Sequence, residues 1–161
     1  MTNSPKRVDA SSCLIDASAQ TIYQAFIHPD QFVKWLPPKG MTGSLETFNA
    51  YEGGTFKMTL TYHEQGETTG KSSEFTDVIE ATFLSLIPNK KIVHAVSFDS
   101  DDPIYSGEMK QTWLIEPVPE GTLVKISCEN VPEGINKADH EEGLRSTLEN
   151  LASLTEQQLN G

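Results

Sequence analysis

The most regular pattern in the chain runs over residues 55–63, where Phe56, Met58, Leu60 and Tyr62 alternate with Lys57, Thr59 and Thr61. A period of two sends successive side chains to opposite faces, so this segment predicts a strand with one face buried. The same alternation recurs over 108–116, where Met109, Gln111, Trp113 and Ile115 share a face, and over 122–129, with Val124, Ile126 and Cys128. Further strands are predicted over 7–16, 44–51, 74–87 and 92–98; the segment 74–87 is long enough to expect a bend or bulge. Turn chemistry separates them: Glu52-Gly53-Gly54, residues 64–67, Pro88-Asn89-Lys90, the acidic loop 99–103, and residues 117–121.

Helical spacing appears in three places. Ile22, Tyr23, Phe26 and Ile27 form one apolar face behind Ser18, whose hydroxyl suits an N-cap. His28-Pro29-Asp30 ends that helix, with His28 read as a C-terminal cap. A second short helix carries Phe32, Val33, Trp35 and Leu36 and stops at Pro37-Pro38. The longest helix is expected over 137–159, with Asn136 as its N-cap and Asp139 in the first turn, where the helix dipole favours negative charge. Leu144, Leu148, Leu151, Thr155 and Leu159 make its apolar stripe.

This order predicts an α+β fold: a curved seven-stranded antiparallel sheet wrapped on a long C-terminal helix, with two short helices after the first strand. Strands joined by short turns pair antiparallel, and only the last helix is long enough to cover the buried face. A curved sheet around one helix leaves a space, and that space is the expected cavity. One domain over 1–161 is expected, with 1–6 disordered.

Composition narrows the partners. The chain is 37% hydrophobic and 22% charged, which suits a packed globule, and its formal charge is −11, from 23 acidic against 12 basic residues. Nucleic acid requires a basic footprint, and the lysines and arginines are scattered, so no nucleic-acid partner is expected. No apolar run reaches the ~20 residues of a membrane span, and no secretory h-region is seen; no membrane insertion and a cytoplasmic location are expected. Cys13 and Cys128 lack metal or redox spacing, although pairing of the first and last strands would bring a bridge into consideration. No metal and no cofactor are expected.

Several stretches resemble a known family. Ile22-Tyr23-Gln24-Ala25-Phe26-Ile27-His28-Pro29 with Trp35, and Tyr51-Glu52-Gly53-Gly54-Thr55-Phe56, resemble the START-like (SRPBCC, helix-grip) superfamily. Val131-Pro132-Glu133-Gly134, followed by His140 and Gly143, looks like the family named for the activator of heat-shock-protein ATPase. The resemblance implies a seven-stranded sheet gripping a C-terminal helix, with the first strand beside the last. It spans lipid carriers, hormone binders, polyketide cyclases and chaperone cofactors, so it fixes fold and not activity. The chain departs from the family at Leu144, where an aromatic is common, and at the lone Trp35, where a tryptophan pair is common.

The candidate cavity residues are Trp35, Phe56, Met58, His94, Met109, Gln111, Trp113, His140, Gly143 and Leu144, with Glu108 a further polar anchor. His94 shares the inward face of its strand with Ile92, Val96 and Phe98, and a buried imidazole needs a partner. His140 lies in the first turn of the long helix, where it either overhangs the cavity mouth or takes an exposed or capping role. His63 is expected to face solvent. Gly143 costs about 1 kcal/mol against alanine inside a helix, which points to close approach of a backbone or ligand, or to helix-on-sheet packing. No nucleophile elbow or phosphate loop occurs. Three functions follow: a carrier of an apolar or amphipathic small molecule; a cyclase- or hydrolase-type enzyme using His94 or His140 as general acid–base; or a chaperone cofactor acting through its acidic surface. A homodimer or a protein partner is left open.

Overall fold

The computed structural model describes residues 7–38, 40–62, 76–98, 103–105 and 107–160. Seven strands are present: β1 (Val8–Ile15), β2 (Met41–Phe48), β3 (Thr55–Tyr62), β4 (Thr76–Ile87), β5 (Lys91–Phe98), β6 (Met109–Val118) and β7 (Gly121–Glu129). Three α-helices accompany them, α1 (Ala19–Ile27), α2 (Pro29–Trp35) and α3 (Lys137–Asn160), with one 3-10 turn over Pro103–Tyr105. The sheet order is β1-β7-β6-β5-β4-β3-β2, and every pair is antiparallel. The expected α+β grip architecture is therefore present, with the first strand beside the last.

Local chemistry sets the boundaries. The backbone N–H of Thr21 donates to the Ser18 hydroxyl at 3.1 Å, and that of Asp139 donates to Asn136 Oδ1 at 3.0 Å, so both expected N-caps are made. The His28 N–H donates to the Gln24 carbonyl and closes α1, and the peptide then restarts as α2 with Pro29 in the first turn. Register shifts between Leu45 and Thr47 and between Phe83 and Ser85 mark bulges, the second in the strand expected to bend. Strand β2 lies earlier than the expected 44–51. Gly43 sits inside it, where an added Cβ would stand 2.9 Å from Pro37 Cγ and 3.1 Å from Met58 Sδ. That glycine lets the end of α2 dock on β2; it does not begin the strand.

The concave face is the apolar one. Phe26, Phe32, Trp35, Phe56, Phe83 and Trp113 form a chain of edge-to-face rings whose neighbouring centroids lie 4.7–5.7 Å apart. Helix α3 packs along β1 and against α1 and α2. Leu144, Leu148, Leu151 and Thr155 of its expected stripe are buried. The side chain of Leu159, His63, the turn 64–67, the loop 99–102 and residues 1–6 lie outside the described residues.

The register decides the cysteine question. Cys128 faces Asp9, while Cys13 faces Val124, four positions along the same ladder. At ~3.3 Å per residue the two thiols are roughly 13 Å apart along the strands, too far for a disulfide.

Candidate ligand cavity

Helix α3 is fixed at three places. Near its middle, Thr147 Oγ1 donates to the Leu36 carbonyl at 3.0 Å and Asn150 Nδ2 to the Pro37 carbonyl at 2.9 Å, tying it to the end of α2. Further on, Glu156 accepts from the Asp16 N–H at 2.9 Å. At its N-terminus the anchor is Asp9, whose fully buried carboxylate accepts from Arg7 Nε and Nη2, both at 2.8 Å, and pairs with His140 Nδ1 at 2.7 Å and Lys137 Nζ at 3.4 Å. Arg7 also donates to the Ile135 carbonyl at 2.7 Å, and Lys137 to the Val8 carbonyl at 2.6 Å. Burial pushes the Asp9 carboxyl up, but hydrogen bonds from Arg7 and His140, with their charges, outweigh it and bring it down to about 2.

Held this way, α3 does not press its first turns onto the sheet. Beneath them lies a cavity of about 420 Å³, a volume typical of small-molecule sites. Strands β3 to β7 supply its floor, including Phe56, His94, Met109, Gln111, Trp113 and Ile126. Helix α3 supplies its roof through Asp139, His140, Gly143, Leu144 and Thr147. Pro38, Met41, Tyr105 and Asn136 also line it.

Most of the sequence candidates meet here: Phe56, His94, Met109, Gln111, Trp113, His140, Gly143 and Leu144 all line the cavity. Trp35 and Met58 do not. Trp35 packs behind the wall, with Nε1 donating to the Ala25 carbonyl at 2.8 Å and its ring against Phe26, Phe32 and Trp113. Met58 is fully buried beneath Gly43. Both face the right way but are covered by their neighbours, Met58 although Phe56 and Leu60 on either side of it line the cavity. Glu108 is exposed and is absent from the lining, so Gln111 alone of that pair is a cavity group.

Of the sequence readings of Gly143, neither close approach of a backbone nor packing on the sheet is present. An added Cβ there would meet nothing within 4 Å, so neither a backbone nor the sheet approaches it. It lies near the middle of the arc made by Asn136, Asp139, His140, Gly143, Leu144 and Thr147. The missing side chain is part of what makes the room.

The imidazole of His94 is 1% exposed, and its ring meets Phe83, Phe56 and Phe32 edge-on at 5.1, 5.4 and 6.1 Å. Burial lowers its pKa to about 4, opposed in part by a hydrogen bond with Gln111, so the ring is neutral near pH 7. The partner that a buried imidazole needs is thus supplied on one side only: His94 Nε2 has no partner among the described residues, and neither does the buried Trp113 Nε1.

Two carboxylates were passed over in the sequence. Asp9 and Asp77 are both buried, and Asp77 lines the cavity. Each could have been found by counting back in twos from the apolar face of its strand, from Ile15 and from Ile79. Among the described residues no three His, Cys, Asp or Glu side chains gather to hold a metal ion. Among them also, no helix is long and apolar enough to cross a membrane.

A helix-grip sheet closed by a C-terminal helix over an apolar cavity defines the class of protein. Residues 16–156 match the family model described as Activator of Hsp90 ATPase homolog 1-like protein, and the chain belongs to that family, within the START-like superfamily. A solved protein from Chromobacterium violaceum is 26% identical, covers 92% of this chain and 96% of its own, and superposes with a TM-score of 0.81. The AHSA1 protein from Silicibacter pomeroyi (15% identity; 96% and 100% covered; TM-score 0.75) and the AHSA1-like protein from Aeromonas hydrophila (14%; 94% and 94%; 0.70) share the fold. No protein of curated function matches the sequence significantly.

Proposed function

We propose that the chain acts as one domain that binds a small apolar or amphipathic molecule between the sheet and α3. The observation that carries this reading is the cavity itself: about 420 Å³, walled mainly by aromatic and aliphatic side chains, kept open under a helix clamped on either side. Membership of a family whose fold carries apolar ligands supports it. Native mass spectrometry of gently purified protein is expected to show a co-purifying small molecule. A saturating ligand, at about a hundred times its Kd, should add roughly 2.7 kcal/mol, which is a rise in Tm of roughly 5–10 °C for a chain of this size. No bound mass, together with no thermal shift across a panel of lipids and polyphenols, would leave the reading without support.

One observation favours a second reading, a cyclase- or hydrolase-type enzyme. His140 lines the cavity while its Nδ1 is held by Asp9, an arrangement that orients an imidazole and leaves its other nitrogen for a reactant. If a panel of apolar aryl esters is turned over, His140→Asn should lower kcat by 100-fold or more, the usual contribution of a general base. Equal turnover in His140→Asn and in His94→Asn would remove this alternative. The chaperone-cofactor reading rests on surface acidity and the family's name alone, and a salt-sensitive pull-down separates it from both.

A further inference from the structure

The concave face carries a continuous polar rung across four strands, apart from Asp77 and Thr122, which are buried elsewhere on it. Across the register Asp9 on β1 faces Cys128 on β7, Cys128 faces Gln111 on β6, and Gln111 faces His94 on β5. The rungs beside it are apolar: Ile126, Trp113 and Ile92 on one side, Met109 and Val96 on the other. Gln111 is hydrogen-bonded to both of its neighbours on the rung. The Cys128 thiol, pushed up to about 12 chiefly by burial, stays protonated. The rung therefore runs from the Asp9 anchor at the helix to an imidazole inside the cavity wall, and it ends on an unpartnered nitrogen, His94 Nε2.

Trp113 is the diagonal neighbour of His94, since Ile92 pairs with Trp113 and His94 with Gln111. Diagonal pairs on one face of a sheet are within reach of long side chains. The two buried orphans, His94 Nε2 and Trp113 Nε1, thus belong to adjacent residues lining one space. An indole N–H can only donate, so what satisfies it must be an acceptor. A hydroxyl or carbonyl oxygen meets that need, and a hydroxyl can also serve an imidazole nitrogen.

Charge decides the rest. Among the described residues no lysine or arginine lines the cavity, and the nearby described cations Arg7 and Lys137 are engaged by Asp9, Glu141 and backbone carbonyls. The lining does include two acidic residues, Asp77 and Asp139. A carboxylate ligand would be desolvated there with no lysine or arginine of the described lining to pair with, which is costly. An ammonium group brings donors only and leaves the indole unmet.

We propose that the cavity selects an uncharged molecule with a ring-sized apolar body and one hydroxyl or carbonyl oxygen, the oxygen held between Trp113 Nε1 and His94 Nε2 and the body against Phe56, Met109 and Ile126. This deepens the binding reading above and rests on it. Gln111 is the positioning residue, because it holds the imidazole.

Three matched probes test the inference: naphthalene, 2-naphthol and 2-naphthoate, titrated calorimetrically at pH 7. 2-Naphthol is expected to bind about tenfold more tightly than naphthalene, the ratio that one satisfied buried donor supplies, and at least tenfold more tightly than 2-naphthoate. Trp113→Phe should bring the naphthol-to-naphthalene ratio toward one. Should that variant fold poorly, the Trp113 indole N–H resonance of the unaltered protein should move with 2-naphthol and stay with naphthalene. Equal affinity for naphthol and naphthalene overturns the oxygen anchor while the binding reading stands. Tighter binding of naphthoate overturns the charge argument. Failure of all three to bind overturns the inference and removes its support from the cavity.

Discussion

Asp9→Asn is expected to lower the stability of the fold by about 3 kcal/mol at pH 7, seen as a Tm drop of roughly 6–12 °C. Asp9 is the one acceptor shared by Arg7, Lys137 and His140, and it is fully buried. Removing one side of a buried pair costs about 3–5 kcal/mol because the other charge is left unmatched. Here Arg7 and Lys137 are 31% and 51% exposed, so water takes up part of their loss and the lower end applies. The pH profile gives an independent check. The carboxyl is depressed from 3.8 to about 2, so its contribution is fully present above pH 4 and is lost as pH falls through 2. A shift of that size corresponds to on the order of 2 kcal/mol. The gap between the wild type and Asp9→Asn should therefore narrow between pH 4 and pH 2. A loss below 1 kcal/mol at pH 7, or a gap that does not close in acid, would mean that the cluster does not anchor α3.

The same residue shows where the sequence could be read and where it could not. Alternation in twos identified the inward faces of β3, β6 and β7 because each has apolar residues on one side and polar residues on the other. The caps at Ser18 and Asn136 were legible because capping depends on the nearest three residues. Strand β2 was misplaced by three residues at each end because its alternation is weak, and because Gly43, left ahead of the expected strand, is in fact inside it and is required by the close approach of the Pro37 ring. That contact is long-range. Trp35 and Met58 were assigned to the cavity because periodicity gives the face of a residue and not which neighbours cover it. Asp9 and Asp77 were legible in principle, since each stands on an apolar face, but their partners come from distant segments. The polar rung through Cys128, Gln111 and His94 exists only in the register, which no local pattern specifies.

Gly143→Phe is expected to weaken binding of 2-naphthol by 100-fold or more while leaving the melting temperature within a few degrees of the wild type. The position lines the cavity from the middle of the roof, and its first side-chain atom would meet nothing within 4 Å. A benzyl group there extends into the space the ligand uses without clashing at its base. The helix itself gains from the change, because glycine is the worst non-proline residue in a helix interior, by about 1 kcal/mol against alanine. Gly143→Ala isolates that term: it should raise stability by up to about 1 kcal/mol and leave most of the cavity open. The contrast between the two variants separates helix propensity from occupancy. A 100-fold loss corresponds to about 2.7 kcal/mol, more than propensity supplies and of opposite sign for function. If Gly143→Phe binds 2-naphthol as the wild type does, the space under α3 is not where the molecule sits. If Gly143→Ala destabilises the protein, the glycine is required by a contact that the open space around it does not reveal. A glycine inside a helix, where an added Cβ would meet nothing within 4 Å and where the residue lines the cavity roof, is best explained by the volume it leaves for a ligand.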